Sequence, residues 1–356
     1  MLKPFTEYTI DDALSVVRDR FGDAACEQAR LILRNPMRSI CTAVGDVVYE
    51  KDDPVGFQAA ILRRGLVGSR GFVCVVGGML AMKEGSSPVS LVSLMKNTIK
   101  PRGDSVLFLA NTSIPTSMKM NRMLGVDGQG CPSCGLVRFA VLRWGRFARF
   151  CLHGKFPRWL AVIGDALGWV IAPFFVRRQR SRTMPLQMMS FEEDVFNRFW
   201  DEYVASNDGI VLSRTAEELA WLFSDGLQQG NNILLTRKDG KRIVGYIVLR
   251  ARDTEHVRWM VVDWIAIGND RAILSDLLWD AVRHLRKNTP AAFLESIGFR
   301  MDVQDVIHRH LPFTRRAPNN STIYKAFTEE IVKGMERAEC HGWFFGPYDG
   351  DRCIAV

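Results

Sequence analysis

Hydrophobic and polar positions along this chain follow a helical period in some segments and a period of two in others. Residues 10–21 and 24–34 have apolar residues at helical spacing, which predicts a pair of amphipathic helices. Apolar and alternating runs at 47–50, 55–63 and 71–81 follow and predict antiparallel strands. The pattern therefore predicts a helix pair followed by a sheet.

A helix at 88–98 is predicted next, because Ser86 or Ser87 is a suitable N-cap and Pro88 fits the first helical position. Three further elements complete this first set: a buried strand, a short helix and a closing strand, at 105–111, 115–124 and 136–144.

The same order of elements returns from residue 190 onward. The second set has helices at 192–206 and 216–225, strands at 233–237, 243–251 and 258–267, a helix at 271–287, a strand at 291–297, a helix at 303–310 and a strand at 323–327. Because the two halves agree in order, we predict two copies of one α/β (α+β) fold. Each copy is expected to be a mixed, mostly antiparallel sheet flanked by helices.

A length of 356 residues with 47% hydrophobic and 24% charged residues fits two globular domains of average size. The predicted boundaries are an N-terminal domain at 1–144, a basic and apolar connector at 145–190, a C-terminal domain at 191–330 and a docked tail at 331–356. The tail is rich in aromatic residues, and we expect it to pack on the second domain.

The net charge of +8 is concentrated in one segment. Residues 138–182 contain ten basic residues and the single acid Asp165, a segment charge of +9, which leaves −1 for the rest of the chain. Within this segment, 159–176 is apolar but too short and too interrupted to span a bilayer readily. Two interpretations remain open: a connector helix buried between the domains, or an element lying in a membrane interface with the arginines on anionic lipid.

Nucleic acid is not an expected partner, because no nucleic-acid-binding motif accompanies the basic segment. The chain starts without a signal peptide, so its eight cysteines should stay reduced, and we expect a cytoplasmic protein, peripheral at the inner face of the membrane if the arginines contact lipid. Cys131 and Cys134 have metal-knuckle spacing but lack a second ligand pair, so we expect a plain turn and no metal. His308 and His310 are interpreted as helix-surface residues.

Four local sequences resemble the GNAT family of acyl-CoA-dependent N-acyltransferases. They are Asp53-Pro-Val-Gly-Phe-Gln58, Gly240-Lys-Arg-Ile-Val-Gly-Tyr246, Phe108-Leu-Ala-Asn-Thr-Ser113 with the helix after it, and Leu294-Glu-Ser-Ile-Gly-Phe299. The resemblance implies a tandem acyltransferase that moves a short or long acyl group from acyl-CoA or an acyl carrier protein. The acceptor would be an amine or hydroxyl of a small molecule, lipid or saccharide, and the carrier protein is a second anionic partner that the basic segment would fit.

The family binds the CoA pyrophosphate with a loop of the pattern Gln/Arg-x-x-Gly-x-Gly/Ala at a helix N-terminus. The first half has Met82-Lys-Glu-Gly-Ser-Ser87 there. Gly85 matches and Ser87 is small, whereas Met82 departs from the pattern and Lys83 adds a cation. The resemblance thus implies that Lys83, Gly85, Ser86 and Ser87 bind the cofactor; the alternative is a capped helix start that binds nothing.

The second half has Ile265-Ala-Ile-Gly-Asn-Asp270 in the corresponding place. Gly268 matches the pattern, but Asp270 puts a carboxylate where a phosphate would have to lie, and like charges that close repel. We therefore expect the second half not to bind CoA.

Four residues are candidates for the acid–base chemistry of acyl transfer: Asn111, Ser117, Asp263 and Glu295. By the resemblance, Asn111 would line the gap beside its strand and Ser117 would offer a hydroxyl to the leaving thiolate. Asp263 and Glu295 could line an acceptor cleft, although the sequence favours a structural carboxylate, satisfied by neighbouring backbone or Arg, over a catalytic one. The non-enzymatic alternative is a GNAT scaffold that serves as a peripheral membrane assembly or regulatory partner.

Overall fold

The computed structural model describes the chain except for residues 40, 42, 69, 113–114, 127, 130–135, 154, 156, 176–184, 208, 298–302, 317–320, 339–347 and 349–356. The chain forms two compact units, and neither is continuous in sequence. The first comprises Met1–Pro132, Asp208–Leu222 and Pro318–Val356; the second comprises Ser133–Asn207 and Phe223–Ala317.

The described residues of the first half form seven strands and six α-helices. In chain order they are β1 (Leu2–Pro4), α1 (Ile10–Phe21), α2 (Asp23–Leu33), β2 (Gly45–Glu50), β3 (Asp53–Val67), β4 (Arg70–Met82), α3 (Pro88–Thr98), β5 (Ser105–Thr112), α4 (Pro115–Met123), β6 (Gly128–Gln129), β7 (Leu136–Val141), α5 (Trp144–Cys151) and α6 (Arg158–Phe175).

The second half of the described chain repeats this mixture of elements. They are β8 (Leu186–Met188), α7 (Glu193–Ala205), β9 (Ile210–Leu212), α8 (Ala216–Gln228), β10 (Asn232–Asp239), β11 (Arg242–Ala251), β12 (Arg258–Ala266), α9 (Arg271–Asn288), β13 (Phe293–Ile297), α10 (Gln304–His310), β14 (Phe313–Arg316), β15 (Ser321–Ala326) and α11 (Glu329–Ala338).

Each unit is built on one mixed sheet, as the pattern predicts. The first sheet has the order β1-β2-β3-β4-β5-β15-β6, with β9 also paired to β3, and the second has the order β14-β7-β13-β12-β11-β10-β8. Neighbouring strands are antiparallel except for β4 with β5 and β12 with β13, which are parallel. The α/β fold class with helices beside mixed sheets is confirmed.

The closing strand of each half pairs in the sheet of the other half, which corrects the predicted boundaries at 1–144 and 191–330. Strand β7 lies between β13 and β14, with Ala140 opposite Leu294. Strand β15 lies between β5 and β6, with Ile323 opposite Ala110. Strands β5 and β13 occupy equivalent positions in the two sheets, and each pairs with an antiparallel closing strand. The order of elements along the chain therefore does not reveal which closing strand pairs with which sheet.

The exchanged strands contribute to the hydrophobic core of the unit that they enter. Ile323 is 1% exposed and clusters with Leu62, Val75 and Phe108 of the first unit. In the second unit, Ala140 and the adjacent Leu142 belong to a cluster that contains Trp259 and Leu294. The exchange is therefore fixed by side-chain burial as well as by backbone pairing.

The predicted connector at 145–190 is not an addition outside both folds, because α5, α6 and β8 belong to the second unit. The ring of Phe147 on α5 packs edge-on against Phe293 of β13, at 5.4 Å between centroids. Asp165, expected to interrupt the apolar segment, lies within α6 and accepts the Gly145 N–H of α5 at 2.7 Å. Among the described residues, no helix has the length and apolarity needed to cross a membrane.

Two smaller expectations are also corrected. The ring of Tyr348, in the aromatic tail, contacts the guanidinium groups of Arg63 and Arg214 in the first unit and does not pack on the second. His310 is fully buried instead of lying on a helix surface, and its Nε2 is 2.7 Å from the hydroxyl of Ser275. Residues 339–347 and 349–356 of the tail lie outside the described residues.

The pairing of β15 with β5 predicts which strand loses protection from hydrogen exchange when a β15 side chain is truncated. Ile323→Ala should cost about 2–4 kcal/mol of unfolding free energy, because a buried β-branched side chain is truncated. Hydrogen exchange should speed up at the amides of β5, with those of β13 unchanged. The matched control Leu294→Ala, in the second unit, should give the reverse pattern. Loss of protection in β13 after Ile323→Ala would contradict the exchange.

Burial of His310 predicts a stability change with pH. Desolvation lowers its pKa to about 4, from an ordinary value of 6.5. Below pH 6.5 His310 of the unfolded chain is protonated, whereas in the folded state it is protonated only below about pH 4. The free energy of unfolding therefore falls as the pH decreases from 6.5 to about 4. The loss attributable to His310 is about 3 kcal/mol. Denaturant unfolding of His310→Gln should lack this part of the pH dependence; an unchanged pH profile would argue against a neutral buried imidazole.

Candidate functional site

The loop between β4 and α3 is a tight turn that ends β4, one of the two longest strands of the first sheet. The Ser86 N–H donates to the Lys83 carbonyl at 3.3 Å, and Gly85 between them has a φ of +79°. That conformation is strained for any residue with a Cβ, which explains the glycine. The turn is tied to β3, because the Lys83 N–H donates to the Val55 carbonyl at 2.8 Å.

Helix α3 begins as the sequence predicts. Ser87 is the N-cap, its hydroxyl accepts the Val89 N–H at 3.2 Å, and Pro88 occupies the first helical position. Ser86 is not the cap; its hydroxyl donates to the Lys83 carbonyl at 2.6 Å within the turn.

A carboxylate that sequence reasoning missed lies at this helix N-terminus. Glu50, at the end of β2, accepts the Ser87 N–H at 2.9 Å and the Ser90 hydroxyl at 2.6 Å through the same oxygen. These hydrogen bonds, that of Ser90 first, lower the pKa of Glu50, so the group is ionised at neutral pH. Glu50 thus occupies the position where the positive end of α3 would hold a bound anion.

The two parallel strands of the first sheet separate just before this loop. Pairing of β4 with β5 ends at Gly77 opposite Ala110, whereas β4 continues to Met82 along β3. The register with β3 shifts beside this point, and Met79 has a φ of +45°, as expected at a β-bulge. Between Gly77 and the loop, β4 therefore runs without pairing to β5.

Met82, which departs from the family pattern, is a packing residue at the end of β4. Its thioether lies over Gly56 of β3 so closely that a Cβ on Gly56 would collide with the sulfur, and would lie 2.7 Å from Val48. Gly56 belongs to the Asp53–Gln58 motif of the sequence, so this motif and the loop contact each other.

The second unit repeats the arrangement with one difference. Pairing of β12 with β13 ends at Val261 opposite Ser296, and the register with β11 shifts beside Val261. The loop has Gly268 at a φ of +61°. The N-cap of α9, however, is Asp270, whose carboxylate accepts the N–H groups of Ala272 at 2.7 Å and Ile273 at 3.2 Å. The predicted placement of a carboxylate at this helix N-terminus is confirmed.

The four acid–base candidates fall into two pairs, one in each unit. Asn111 lies in β5 opposite Thr322, but its side chain is outside the described part of the structure. Ser117 is half-buried in the first turn of α4, and its carbonyl accepts the Asn121 amide at 2.9 Å. Asn111 lies near the end of β5 and Ser117 on the helix after it, so their placement is compatible with the predicted roles, which stay predictions.

Asp263 and Glu295 are both fully buried in the second unit. Asp263 accepts the Tyr246 hydroxyl at 2.6 Å. Glu295 accepts Arg258 Nη2 at 2.6 Å and Arg315 Nη2 at 2.8 Å, one guanidinium on each carboxylate oxygen. Both oxygens of this buried carboxylate are engaged in ion pairs, so the structural interpretation of Glu295 is favoured.

Within the described ranges, no group of three or more His, Cys, Asp or Glu side chains is arranged to hold a metal ion. Cys131 and Cys134 lie outside those ranges, so the interpretation of this pair as a plain turn stays a prediction.

Comparison with solved structures places this arrangement in a known fold. A GCN5-related N-acetyltransferase from Anabaena variabilis aligns over 92% of this chain and 73% of its own, with a TM-score of 0.56 and 11% identity. The corresponding enzyme from Kribbella flavida covers 92% and 70%, with a TM-score of 0.56 and 13% identity. The N-myristoyltransferase of Saccharomyces cerevisiae with bound myristoyl-CoA covers 91% and 81%, with a TM-score of 0.54 and 12% identity.

These likenesses show that the chain has the GNAT fold over most of its length. No protein-family model matches the sequence, and no curated protein does. The fold is therefore shared at identities that leave the activity to be argued from the site.

The pairing of Glu295 predicts a large effect on stability. Glu295→Gln should lower the unfolding free energy by about 2–4 kcal/mol, because it removes a buried charge and leaves Arg258 and Arg315 without their counter-ion. Asp305→Asn is the matched control, since its partner Arg271 and Asp305 itself are both more than half exposed, and it should cost less than about 1 kcal/mol. Urea unfolding measures the change in unfolding free energy of both variants. An equal decrease in Glu295→Gln and Asp305→Asn would contradict a structural role for Glu295.

Proposed function

We propose that this protein is a GNAT-type acyltransferase whose acyl donor binds to the first unit. The observation that carries the proposal is the separation of β4 from β5 directly before the N-terminus of α3. A gap between parallel strands admits an extended chain such as the pantetheine arm of CoA, and the helix N-terminus beyond it attracts the phosphates.

The carboxylates at the N-termini of α3 and α9 favour the first unit over the second as the donor-binding unit. Asp270 is itself the N-cap of α9, so its carboxylate is fixed beside the amides that it binds. Glu50 reaches α3 from another strand and is partly exposed, so a change of its side-chain rotamer is enough to remove it. Departure of Glu50 frees the Ser87 N–H and the Ser90 hydroxyl as two donors for a phosphate, with Lys83 nearby in sequence as a cation.

In the proposed reaction, an amine or hydroxyl of the acceptor attacks the thioester carbonyl carbon of the donor. The carbon–sulfur bond breaks, the acceptor loses a proton and the CoA thiolate takes one up, so the reaction needs no metal or redox partner. The hydroxyl of Ser117, on the helix after β5, is proposed to protonate the thiolate. Asn111 is proposed to line the same gap.

The proposed donor is acyl-CoA or an acyl carrier protein, with a short or long acyl chain. The yeast neighbour carries myristoyl-CoA, a long-chain donor, on the same fold. A small molecule, lipid or saccharide is proposed as the acceptor.

The occupied α3 terminus favours a second candidate function. With Ser87 N–H bound to Glu50, Val89 N–H bound to the Ser87 hydroxyl and no N–H on Pro88, the first amides of α3 are satisfied by the protein itself. A GNAT scaffold that has lost donor binding and serves as an assembly or regulatory partner would have this arrangement.

Titration with acetyl-CoA and palmitoyl-CoA, followed by native mass spectrometry, distinguishes the two candidates. If Glu50 competes with the donor, Glu50→Gln should bind at least about tenfold more tightly than the unmodified protein, because one like charge is removed from the phosphate position. Gly85→Trp should abolish binding by filling the open loop.

Gly230→Trp is the matched control for the glycine substitution. Gly230 has a φ of +76° and, like Gly85, has no atom within 4 Å of the position that a Cβ would take. The two variants therefore carry the same backbone strain and an equally exposed indole. Donor binding should survive in Gly230→Trp. If neither the unmodified protein nor Glu50→Gln binds acyl-CoA, the scaffold function stands and the acyltransferase proposal fails.

A further inference from the structure

Helix α6 is held against α5 by a contact between small residues. A Cβ at Gly145 would collide with the Ala161 carbonyl, and a Cβ at Gly164 would lie 3.0 Å from the Gly145 Cα. Asp165 adds to this contact by accepting the N–H groups of Gly145 at 2.7 Å and Arg146 at 3.1 Å at the start of α5. The contact fixes which face of α6 points toward α5 and which faces away.

The face of α6 that points away from α5 is apolar. Its large side chains are substantially exposed: Trp159 at 65%, Val162 at 69%, Ile163 at 48% and Leu167 at 59%. The spacing of these four positions places them on one side of the helix, within two and a half turns. Single exposed apolar residues are ordinary, but a continuous stripe of four marks a contact surface.

A basic cavity reaches α6 at Asp165, three residues after Val162 and therefore next to the stripe on the helix surface. It has a volume of about 540 Å³ and lies between the start of α5, the middle of α6 and the C-terminal half of α9; its charged lining comprises Arg143, Asp165, Asp280, Arg283, Arg286 and Lys287. Asp165 is engaged with the amides of α5, and Asp280 is paired with Arg237 of β10. Both acids of the cavity therefore already have partners.

The cations of the cavity are close enough to affect one another. Burial, followed by the charges of Arg146 and of the cavity residue Arg286, lowers the pKa of Arg143. The Arg143 guanidinium donates to the carbonyls of Thr289 and, at 2.8 Å, Arg286 at the C-terminal end of α9. Arg143 is therefore hydrogen-bonded to the C-terminal end of α9. Arg283 and Lys287 are exposed on the same helix, where an anion can reach them.

We propose that the apolar stripe of α6 and the basic cavity together form a docking surface for an anionic phospholipid bilayer. Trp159, Val162, Ile163 and Leu167 would lie at the boundary between headgroups and acyl chains, with α6 parallel to the membrane plane. The cavity would take up lipid phosphates at the headgroup level. Charge complementarity selects this occupant, since apolar residues beside exposed cations match a surface that is apolar beneath a layer of anions.

Vesicle flotation tests the proposal. The full chain should float with vesicles of an equal mixture of phosphatidylcholine and phosphatidylglycerol, and much less with phosphatidylcholine alone. The double variants Trp159→Ser/Ile163→Ser and Val162→Gln/Leu167→Gln should each weaken binding to the mixed vesicles by about tenfold or more, because exposed apolar area is lost. Arg283→Gln/Lys287→Gln should weaken it by about 30-fold, from roughly 1 kcal/mol per charge.

Matched controls separate docking from general surface effects. Lys96→Gln/Lys100→Gln removes two exposed charges at the end of α3, and Met123→Ser removes an exposed apolar side chain on α4. Neither control should change flotation. The proposal is overturned if the unmodified protein stays unbound, or if both apolar double variants float as well as it does. It is also overturned if the apolar variants abolish only self-association in light scattering, which would assign the stripe to a second copy of the chain.

Discussion

The architecture depends on an exchange of backbone pairing: each sheet is completed by a strand from the other half of the sequence. Strand β15 lies beside β5 in the first sheet, and β7 lies beside β13 in the second. Ile323 and Ala140 show that the exchange also supplies core residues. Because α5 and α6 directly follow β7, the exchange brings the basic, apolar segment into the second unit. A segment that looks like a linker in sequence is thereby part of a folded unit, with one helix face left exposed.

The chemistry proposed for the first unit rests on competition for a few backbone amides at one helix end. In both units the first turn of the helix after the long central strand is neutralised by a carboxylate, from Glu50 at α3 and from Asp270 at α9. The difference lies in how the carboxylate is attached. Asp270 is part of its own loop, whereas Glu50 belongs to a separate strand and can leave. Under the proposed function, the attachment of this carboxylate decides which of the two loops takes a phosphate.

The sequence predicts those features whose signals are local. Ser87 and Pro88 specify the start of α3, and Asp270 specifies the start of α9, because a cap and its amides lie within three residues. Glu50 was missed because it is 37 residues from Ser87. The partner of β15 was missed for the same reason, since pairing depends on the edges that two folded sheets present. The structural role of Asp165 was hidden as well, because its amide partners lie on another helix.

The central claim is that a donor phosphate replaces Glu50 at the N-terminus of α3. The most direct measurement is the set of backbone amide chemical shifts in the full chain during titration with acetyl-CoA. If phosphate replaces Glu50, the Ser87 amide shifts as its hydrogen bond passes from carboxylate to phosphate, while the chemical shifts of the Ala272 and Ile273 amides of α9 stay unchanged. Shifts at α9 with none at Ser87, or no shift at either helix, would contradict it.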